Sequence, residues 1–258
     1  MKYNRIIMFC DYGLDDAIAT MHILRRADMF EKIDIVPIGG NVSVHTAFRN
    51  AQTLLASADV DTDKVRIIDT RNIPQQSADI PDIHGSDGIG DVLPQAISKA
   101  AVVDFSAFKA ELETSARPDR DCVLSLGPCT LPVMLDYTPF CTVLMGGAVK
   151  ELPNYGDYEF NEALDVSAFA KYAFGATAVA TLDTCHDENF GFENFQTGDP
   201  LTDKLVSSYK NLCASRDATF AIYDYVAALA VTDAQLFEAE RVRRADGVEF
   251  NELRLIAK

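Results

Sequence analysis

The sequence predicts an α/β protein with a mostly parallel central sheet flanked by helices. Short apolar or β-branched runs alternate along the chain with longer amphipathic stretches, as in successive strand–helix–strand units. Small or polar residues follow several of the apolar runs, where the carboxyl ends of parallel strands form ligand sites. The 258 residues contain no linker or internal repeat, so we expect a single domain over residues 1–258.

The predicted strands are short runs rich in Ile, Val, Leu and Thr, followed by turn residues such as Asp or Gly. They are residues 5–9, 33–38, 65–68, 122–126, 142–145 and 177–181.

Helices are predicted after the first two strands, because apolar residues recur there at helical spacing in 17–24 and 44–55. Residues 73–94 are rich in Asp, Gly, Pro and Ser, which predicts a long loop of the kind that often carries function. The last stretch, 239–258, is predicted to be a short helix end followed by strands.

The charge balance narrows the classes of ligand. The chain has 23 Lys and Arg against 39 Asp and Glu, for a formal charge of −16. Such a field repels nucleic-acid phosphates and anionic lipid surfaces, so we expect no nucleic-acid or membrane partner. It favours neutral or cationic small molecules and sites that hold metal ions.

The cysteines and the amino-terminal residues indicate a cytoplasmic protein. The six cysteines are scattered and include no CxxC pair, which favours buried reduced thiols over disulfides or a zinc site. The first residues lack the apolar core and cleavage site of a signal peptide. No apolar stretch reaches the roughly 18 residues that a membrane span requires.

The stretch IIMFCDYGLDDAIA, residues 6–19, carries three aspartates at the end of the first predicted strand. Asp15 or Asp16 could cap the helix that follows, but a cap leaves Asp11 unexplained. A divalent cation would neutralise all three, and hard oxygen ligands select calcium or magnesium. A phosphatase-type nucleophile motif is excluded because Gly13 stands where that motif needs a second Asp. On spacing alone, a helix cap and a metal site both remain open.

Eight segments resemble motifs of the inosine-uridine nucleoside hydrolase family, in the family's order from residue 6 to about 235. FCDYGLDDA resembles its opening D-x-D-P-G-x-D-D-A motif, and YDYVAALAV resembles its late His-Asp-Pro-Leu-Ala motif. The six segments between them are IGGNVSVHTAFRNA, IHGSDGIGD, LGPCT, LMGGAV, YEFNEALD and LDTCH. The resemblance implies a nucleoside hydrolase-like domain with a Rossmann-like core.

The resemblance also implies an activity, which is calcium-dependent hydrolysis of the N-glycosidic bond of ribonucleosides to ribose and free base. Members of the family are commonly homodimers or homotetramers. The implied calcium ligands are Asp11, Asp16, the carbonyl oxygen of Leu126, and Asp224. The implied ribose ligands are Asp15, Asn41, Asn154, Glu159 and Asn161. Asp11 is also the implied base that activates the attacking water.

Four positions depart from the family pattern. Phe9 replaces the first Asp of the opening motif, Tyr12 replaces proline and loosens the turn, and Leu131 stands where Asn is frequent. Tyr223 stands where many members carry the His that protonates the leaving base. A phenol is a weaker acid, with an ordinary pKa of about 10. His84, Tyr223 and Tyr225 are therefore the candidates for assisting the leaving base, whereas His186 is expected only to pack or cap.

Two alternatives remain open. A nucleoside- or ribose-binding protein of the same fold, with weakened catalysis, is favoured by Phe9 and Tyr223 but disfavoured by Asp11, Asp16 and Asp224. A hydrolase of an atypical N-riboside is distinguished by unfamiliar polar groups in its base pocket. The choice between purine and pyrimidine nucleosides stays open as well.

Overall fold

A nine-stranded sheet forms the centre of the computed structural model, which describes residues 2–256. The strands are β1 (Tyr3–Cys10), β2 (Phe30–Pro37), β3 (Val65–Asp69), β4 (Ala101–Asp104), β5 (Asp121–Ser125), β6 (Cys141–Met145), β7 (Ala178–Ala180), β8 (Phe237–Arg243) and β9 (Glu249–Leu255). Their order across the sheet is β4-β3-β2-β1-β5-β6-β7-β9-β8. All neighbours pair in parallel except β8 and β9, which form an antiparallel hairpin at one edge.

The sheet order changes direction next to β1. The chain runs outward from β1 through β2, β3 and β4, then returns to the other side of β1 with β5. Crossovers that leave in opposite directions open a crevice beyond the carboxyl ends of the two strands, where α/β sheets bind ligands. The residues that follow β1 and β5 therefore lie at the position favoured for a site.

Helices cover both faces of the sheet. They are α1 (Leu14–Leu24), α2 (Val44–Ser57), α3 (Pro81–His84), α4 (Phe105–Ser115), α5 (Thr130–Leu135), α6 (Phe160–Leu164), α7 (Val166–Gly175), α8 (Leu182–Cys185), α9 (Pro200–Ser215) and α10 (Tyr223–Thr232). The largest apolar cluster lies on the face that α1, α2, α9 and α10 cover. Two smaller clusters lie on the opposite face, under α4 and α5 and under α7.

The alternation of side chains along β1 explains how one strand serves two cores. Ile6, Met8 and Cys10 belong to the large cluster, whereas Ile7 and Phe9 belong to the cluster under α4 and α5. Successive side chains of a strand point to opposite faces, so a strand buried on both faces is apolar throughout. The parallel sheet was predicted from the alternation of such apolar runs with amphipathic stretches, and the fold class is confirmed.

All six predicted strands are present, and the predicted helices correspond to α1 and α2. Residues 73–94 are mostly loop but include the short helix α3. The prediction of a helix end at 239 was wrong, because Ala239 pairs with Leu253 inside the β8–β9 hairpin. The Glu, Ala and Arg residues of β8 favour a helix locally, and pairing with β9 overrides that preference. Residues 257 and 258 lie outside the described residues.

Two further sequence predictions concern cysteines and membrane spans. All six cysteines are buried as free thiols, as predicted. Between residues 2 and 256, no helix combines the length and hydropathy that crossing a bilayer requires.

Candidate active site

Three buried carboxylates meet at the carboxyl end of β1. Asp15 and Asp16 occupy the first turn of α1, and Asp224 occupies the first turn of α10, which packs against α1. Each of the three places an oxygen within 4.8 Å of the other two. Carboxylates in a first helical turn are favoured by the helix dipole, but a dipole alone does not neutralise three of them. Their arrangement suits a cation ligated by oxygen atoms.

The turn between β1 and α1 is fixed by the Asp16 side chain. Its Oδ1 accepts a hydrogen bond from the Asp11 backbone N–H at 3.1 Å, and its Oδ2 accepts from the Gly13 N–H at 2.8 Å. Tyr12 adopts a φ of 51°, in the left-handed region. Proline fixes φ near −65°, so this chain's turn has a conformation that the family's usual proline could not adopt. The turn is therefore reshaped rather than loosened.

Asp11 is held by Asn41, which follows β2. The two Asp11 oxygens accept hydrogen bonds from the Asn41 backbone N–H at 2.9 Å and from its side-chain Nδ2 at 2.8 Å. A Cβ on Gly40 would lie 1.9 Å from Asp11 Oδ2, so only glycine allows this approach. The structure thus places Asp15, rather than Asp11, in the tightest group of three carboxylates, with Asp11 oriented beside it.

The four aspartates have no cationic partner among residues 2–256, since the His84 ring, whose Nδ1 lies 3.9 Å from Asp15 Oδ1, is neutral with a lowered pKa. Burial raises the pKa of Asp11 to about 6, and burial together with the Asp11 charge raises the pKa of Asp15 to about 7. Burial and the neighbouring carboxylates also raise the pKa values of Asp16 and Asp224 well above the usual range. Asp15 Oδ1 has no hydrogen-bond partner. This unpaired oxygen, among carboxylates without a cationic partner, fits a divalent cation.

A cavity of about 460 Å³ opens above this cluster. Its size is in the range for small-molecule sites and accommodates a nucleoside. The lining includes all five predicted ribose ligands and two of the three candidates for assisting the leaving base. It also includes two of the predicted metal ligands, whereas the other two, Asp11 and Asp16, do not line it. The lining residues with predicted roles are Asp15, Asn41, His84, Leu126, Asn154, Glu159, Asn161, Tyr223 and Asp224.

Tyr225, the third candidate for assisting the leaving base, does not line the cavity. Its ring instead packs edge-on against His22 and Phe195, with centroids 4.8 Å away in each case. Residues one and three of a helical turn point in different directions, so Tyr223 and Tyr225 cannot both face the same cavity. The structure therefore gives Tyr225 a packing role.

Glu159 and Asn161 enter the cavity from the start of α6. Glu159 caps that helix, and its Oε2 accepts hydrogen bonds from the backbone N–H groups of Gly147 at 3.0 Å and Glu162 at 3.1 Å. Burial raises the pKa of Glu159 to about 7. Asn161 Nδ2 donates to the carbonyl oxygen of Leu126 at 3.1 Å, and its own Oδ1 is buried without a partner. That free oxygen is available to a sugar hydroxyl.

Comparison with known proteins agrees with this geometry. The family model described as inosine-uridine preferring nucleoside hydrolase matches residues 6–251. The chain belongs to this nucleoside hydrolase family. It is 30% identical over 177 residues to the non-specific ribonucleoside hydrolase RihC of Salmonella agona (strain SL483), a match that covers 64% of this chain and 56% of that protein. The chain therefore spans little more than half the length of this relative.

Solved structures of nucleoside hydrolases share the fold. A purine-preferring ribonucleoside hydrolase from Gardnerella vaginalis superposes with a TM-score of 0.73 at 19% identity, covering 98% of this chain and 93% of that one. An inosine-uridine preferring enzyme from Bacillus anthracis gives a TM-score of 0.68 at 14% identity, with coverages of 98% and 95%. The likeness extends over the whole sheet and its helices.

In this nucleoside hydrolase family member, Tyr223 and His186 form a pair at the cavity wall. Tyr223 Oη lies 3.1 Å from His186 Nε2, and His186 Nδ1 lies 3.7 Å from Glu151 Oε2. Burial raises the pKa of Tyr223. Sequence reasoning assigned His186 only a packing role, although its position just after β7 and α8, at the carboxyl edge of the sheet, is a signal that could have placed it in the site.

His84 occupies a different environment. Its Nδ1 accepts a hydrogen bond from the Leu14 backbone N–H at 3.0 Å, which leaves the proton of the neutral ring on Nε2. Burial lowers the pKa of His84 to about 4, and the ring lies 5.7 Å from that of Tyr209. These contacts suit a neutral hydrogen-bond donor in the cavity wall better than a cationic proton donor.

Two departures from the family pattern occur together. Phe9 and Leu131 replace an Asp and a frequent Asn, and both side chains lie in the apolar cluster under α4 and α5. Both are fully buried or nearly so. Replacing two polar groups in one apolar cluster avoids the cost of an unpaired buried carboxylate. The apolar Phe9 side chain therefore suits the apolar side chains that surround it.

Proposed function

We propose that this protein hydrolyses the N-glycosidic bond of ribonucleosides, releasing ribose and the free base, with calcium as its cofactor. The carrying observation is the cluster of buried carboxylates, without arginine or lysine partners among residues 2–256, beneath a cavity lined by Asn and Glu side chains. Membership of the nucleoside hydrolase family supports the same activity. A neutral nucleoside suits a chain with a net charge of −16.

We assign the ion to Asp16 and Asp224, which belong both to the ligand set implied by the family motifs and to the tight carboxylate group. Asp11 and the carbonyl oxygen of Leu126 complete the proposed protein ligands. A bound calcium ion supplies positive charge that orients water and sugar hydroxyls. The Asp15 carboxylate is then left to bind a ribose hydroxyl, together with Asn41, Glu159, Asn161 and Asn154.

The residues divide the reaction between two sides of the sugar. Asp11, oriented by Asn41, accepts a proton from the attacking water while the water oxygen forms a bond to the anomeric carbon of the ribose. The electron pair of the breaking carbon–nitrogen bond leaves with the base, and positive charge develops on the ribose. The carboxylates of Asp15 and Glu159 stabilise that charge. Tyr223, hydrogen-bonded to His186, donates a proton or hydrogen bond to the leaving base.

The remaining features of the proposal concern the whole protein. We expect a homodimer or homotetramer in the cytoplasm that takes part in nucleoside salvage. Six buried free thiols are consistent with a reducing compartment.

The proposal is tested by measuring ribose release from purine and pyrimidine ribonucleosides with and without a calcium chelator. We expect turnover that the chelator abolishes and that added calcium restores. Asp224→Asn should lose activity, whereas the control Asp233→Asn, at the partly exposed end of the same helix, should retain it. Turnover that persists fully in chelator would contradict the calcium assignment. Nucleoside binding without any turnover would instead support the alternative of a binding protein.

A further inference from the structure

A buried ion pair joins the carboxyl-terminal hairpin to α6. Arg244, in the turn between β8 and β9, donates from Nη1 to Glu162 Oε2 at 2.6 Å and from Nη2 to Glu162 Oε1 at 2.5 Å. Glu162 is fully buried, and the Arg244 side chain is only 10% exposed. This two-pronged geometry is the strongest that an arginine forms with a carboxylate. Asp246 also contacts Arg244 from within the same turn.

The pair lies directly behind Glu159 in the cavity wall. The Glu159 carboxylate is held by two backbone N–H groups, those of Gly147 and Glu162. Arg244 contacts the side chain of Glu162, and a Cβ placed on Gly147 would lie 3.7 Å from Arg244 Nη1. The guanidinium therefore packs against both residues that orient Glu159.

Charge gives the same guanidinium a second effect. The carboxylates of Glu159 and Glu162 are both buried, and the Glu162 charge contributes to the raised pKa of Glu159. Arg244 supplies the positive charge that offsets Glu162. Without it, two uncompensated carboxylates would share one short helix, and the ionised form of Glu159 would be disfavoured.

We propose that Arg244 is a positioning residue for the ribose subsite, acting through Glu162 and Gly147 on Glu159 and through α6 on Asn161. The hairpin at the edge of the sheet thus fixes the geometry of a cavity wall that it does not itself line. This inference rests on the proposed function, because it assumes that Glu159 and Asn161 contact the sugar.

The test compares Arg244→Ala and Arg244→Lys with the control Arg241→Ala. Arg241 lies in the same hairpin and forms an exposed ion pair with Glu249 at 3.4 Å, so its loss removes a hairpin arginine but leaves Glu162 paired. Hydrogen exchange at the amides of Gly147 and Glu162 reports on positioning without needing turnover. We expect faster exchange at both amides in Arg244→Ala and wild-type exchange in Arg241→Ala. Unchanged exchange in Arg244→Ala would overturn the proposal.

Kinetics then separate positioning from general stability. We expect kcat/KM for a ribonucleoside to fall about 10- to 100-fold in Arg244→Ala, since small misplacements of binding groups are costly. Arg244→Lys keeps the charge but not the paired hydrogen bonds, and should recover part of the loss. In a Glu159→Gln background, Arg244→Ala should cost less than it does in the wild type, because the part of its effect that depends on the Glu159 carboxylate is already lost. Fully additive losses would overturn the proposal.

The proposal can still be tested if Arg244→Ala does not fold or if the wild-type protein shows no turnover. If Arg244→Ala does not fold because Glu162 is left unpaired, Arg244→Lys carries the test, and wild-type exchange and kinetics in that variant would overturn the proposal. If the wild-type protein shows no turnover, the proposed activity fails while the inference is judged by ribonucleoside affinity. Affinity should then fall in Arg244→Ala but not in Arg241→Ala, and equal affinities would overturn it.

Discussion

Two clusters of carboxylates in this protein differ in whether arginines supply their counter-charge. At α4, Asp34 and Glu111 are each paired with both Arg5 and Arg66, at N–O distances of 2.7 to 3.3 Å. At the carboxyl end of β1, the aspartates of the candidate site have no arginine or lysine partner among residues 2–256. The same fold thus contains one carboxylate group with built-in counter-charges and one without.

The pKa values follow this division at Glu111 and Asp15, whereas burial raises the pKa of Asp34 in spite of its two arginine partners. Hydrogen bonds and charge from Arg66 lower the pKa of Glu111 to about 2, whereas burial beside Asp11 raises the pKa of Asp15 to about 7. Leaving buried carboxylates uncompensated costs stability, and such cost is typical of functional sites. The difference supports the proposal that the site holds a cation from outside the chain, and four predictions examine it.

The largest expected effect is on catalysis. Asp11→Asn keeps the shape of the side chain but removes the proposed base, so kcat should fall about 10²- to 10⁴-fold. Because the change also removes one of several repelling charges, the ion-free variant should unfold at the same or a higher temperature than the wild type. Ribose release and thermal unfolding measure the two quantities. Wild-type kcat in Asp11→Asn would exclude it as the base.

A change in the arginine-paired carboxylates should have the reverse effect, lowering stability and leaving kcat unchanged. Asp34→Asn removes one of the two carboxylates that Arg5 and Arg66 share, and the free energy of unfolding should fall by about 3 kcal/mol, since Glu111 still pairs with both arginines. The folded fraction should retain kcat, because Asp34 lies outside the cavity lining. Denaturant unfolding and ribose release check both statements. A variant as stable as the wild type would show that the two groups do not differ as described.

Calcium should stabilise the folded state only through the aspartates of the candidate site. At a free concentration of 100 Kd, the ion should add about 2.7 kcal/mol to the free energy of unfolding. Asp224→Asn should lose most of that gain, and Asp34→Asn should keep it despite its lower starting stability. Thermal unfolding with chelator and with calcium gives the comparison. An equal calcium response in wild type and Asp224→Asn would place the ion elsewhere.

The smallest effect is a pH dependence of the ion-free protein. Asp15 has a pKa of about 7 when folded and an ordinary value near 3.8 when unfolded, so the folded state binds its proton more tightly. Its contribution to stability is therefore fully present below about pH 4 and is lost as pH rises through 7. In chelator, the difference in unfolding temperature between wild type and Asp15→Asn should change in that direction.

Two buried histidines act with the opposite sign. The pKa values of His22 and His84 are lowered to about 4, so they remove stability as pH falls below their ordinary value of 6.5. Both residues are present in wild type and in Asp15→Asn, and subtracting the two curves removes their common contribution. A difference curve that is flat from pH 4 to 8 would contradict the raised pKa of Asp15.

Local sequence patterns were enough to predict most of the fold and the aspartates at the centre of the candidate site. Asp11, Asp15 and Asp16 follow an apolar run, and Asp224 interrupts an apolar helix, so each is conspicuous in the sequence. Arg244 is not, because RVRRADG contains three arginines and nothing local shows which one is buried. Its role depends on a contact with Glu162, far away in the chain. Pairing of that kind is set by tertiary packing rather than by local preference.

Tyr12 illustrates a second limit. The sequence showed a missing proline, but whether the turn would loosen or change shape depended on its left-handed φ, which Tyr adopts at a cost in backbone strain. His186 was overlooked for a related reason, since its partner Tyr223 belongs to a helix that follows much later in the chain.

The carboxylates assigned to the ion come from the first and last α-helices of the chain, with Asp16 on α1 and Asp224 on α10. A cation held by both would be a reversible cross-link that closes the long loop of residues 16–224. Cross-links over long loops restrict the unfolded chain most, and this one can form only after both helices have docked. Loss of the ion would then leave α1 and α10 held only by their direct packing, so the supply of the ion would affect resistance to proteolysis as well as chemistry.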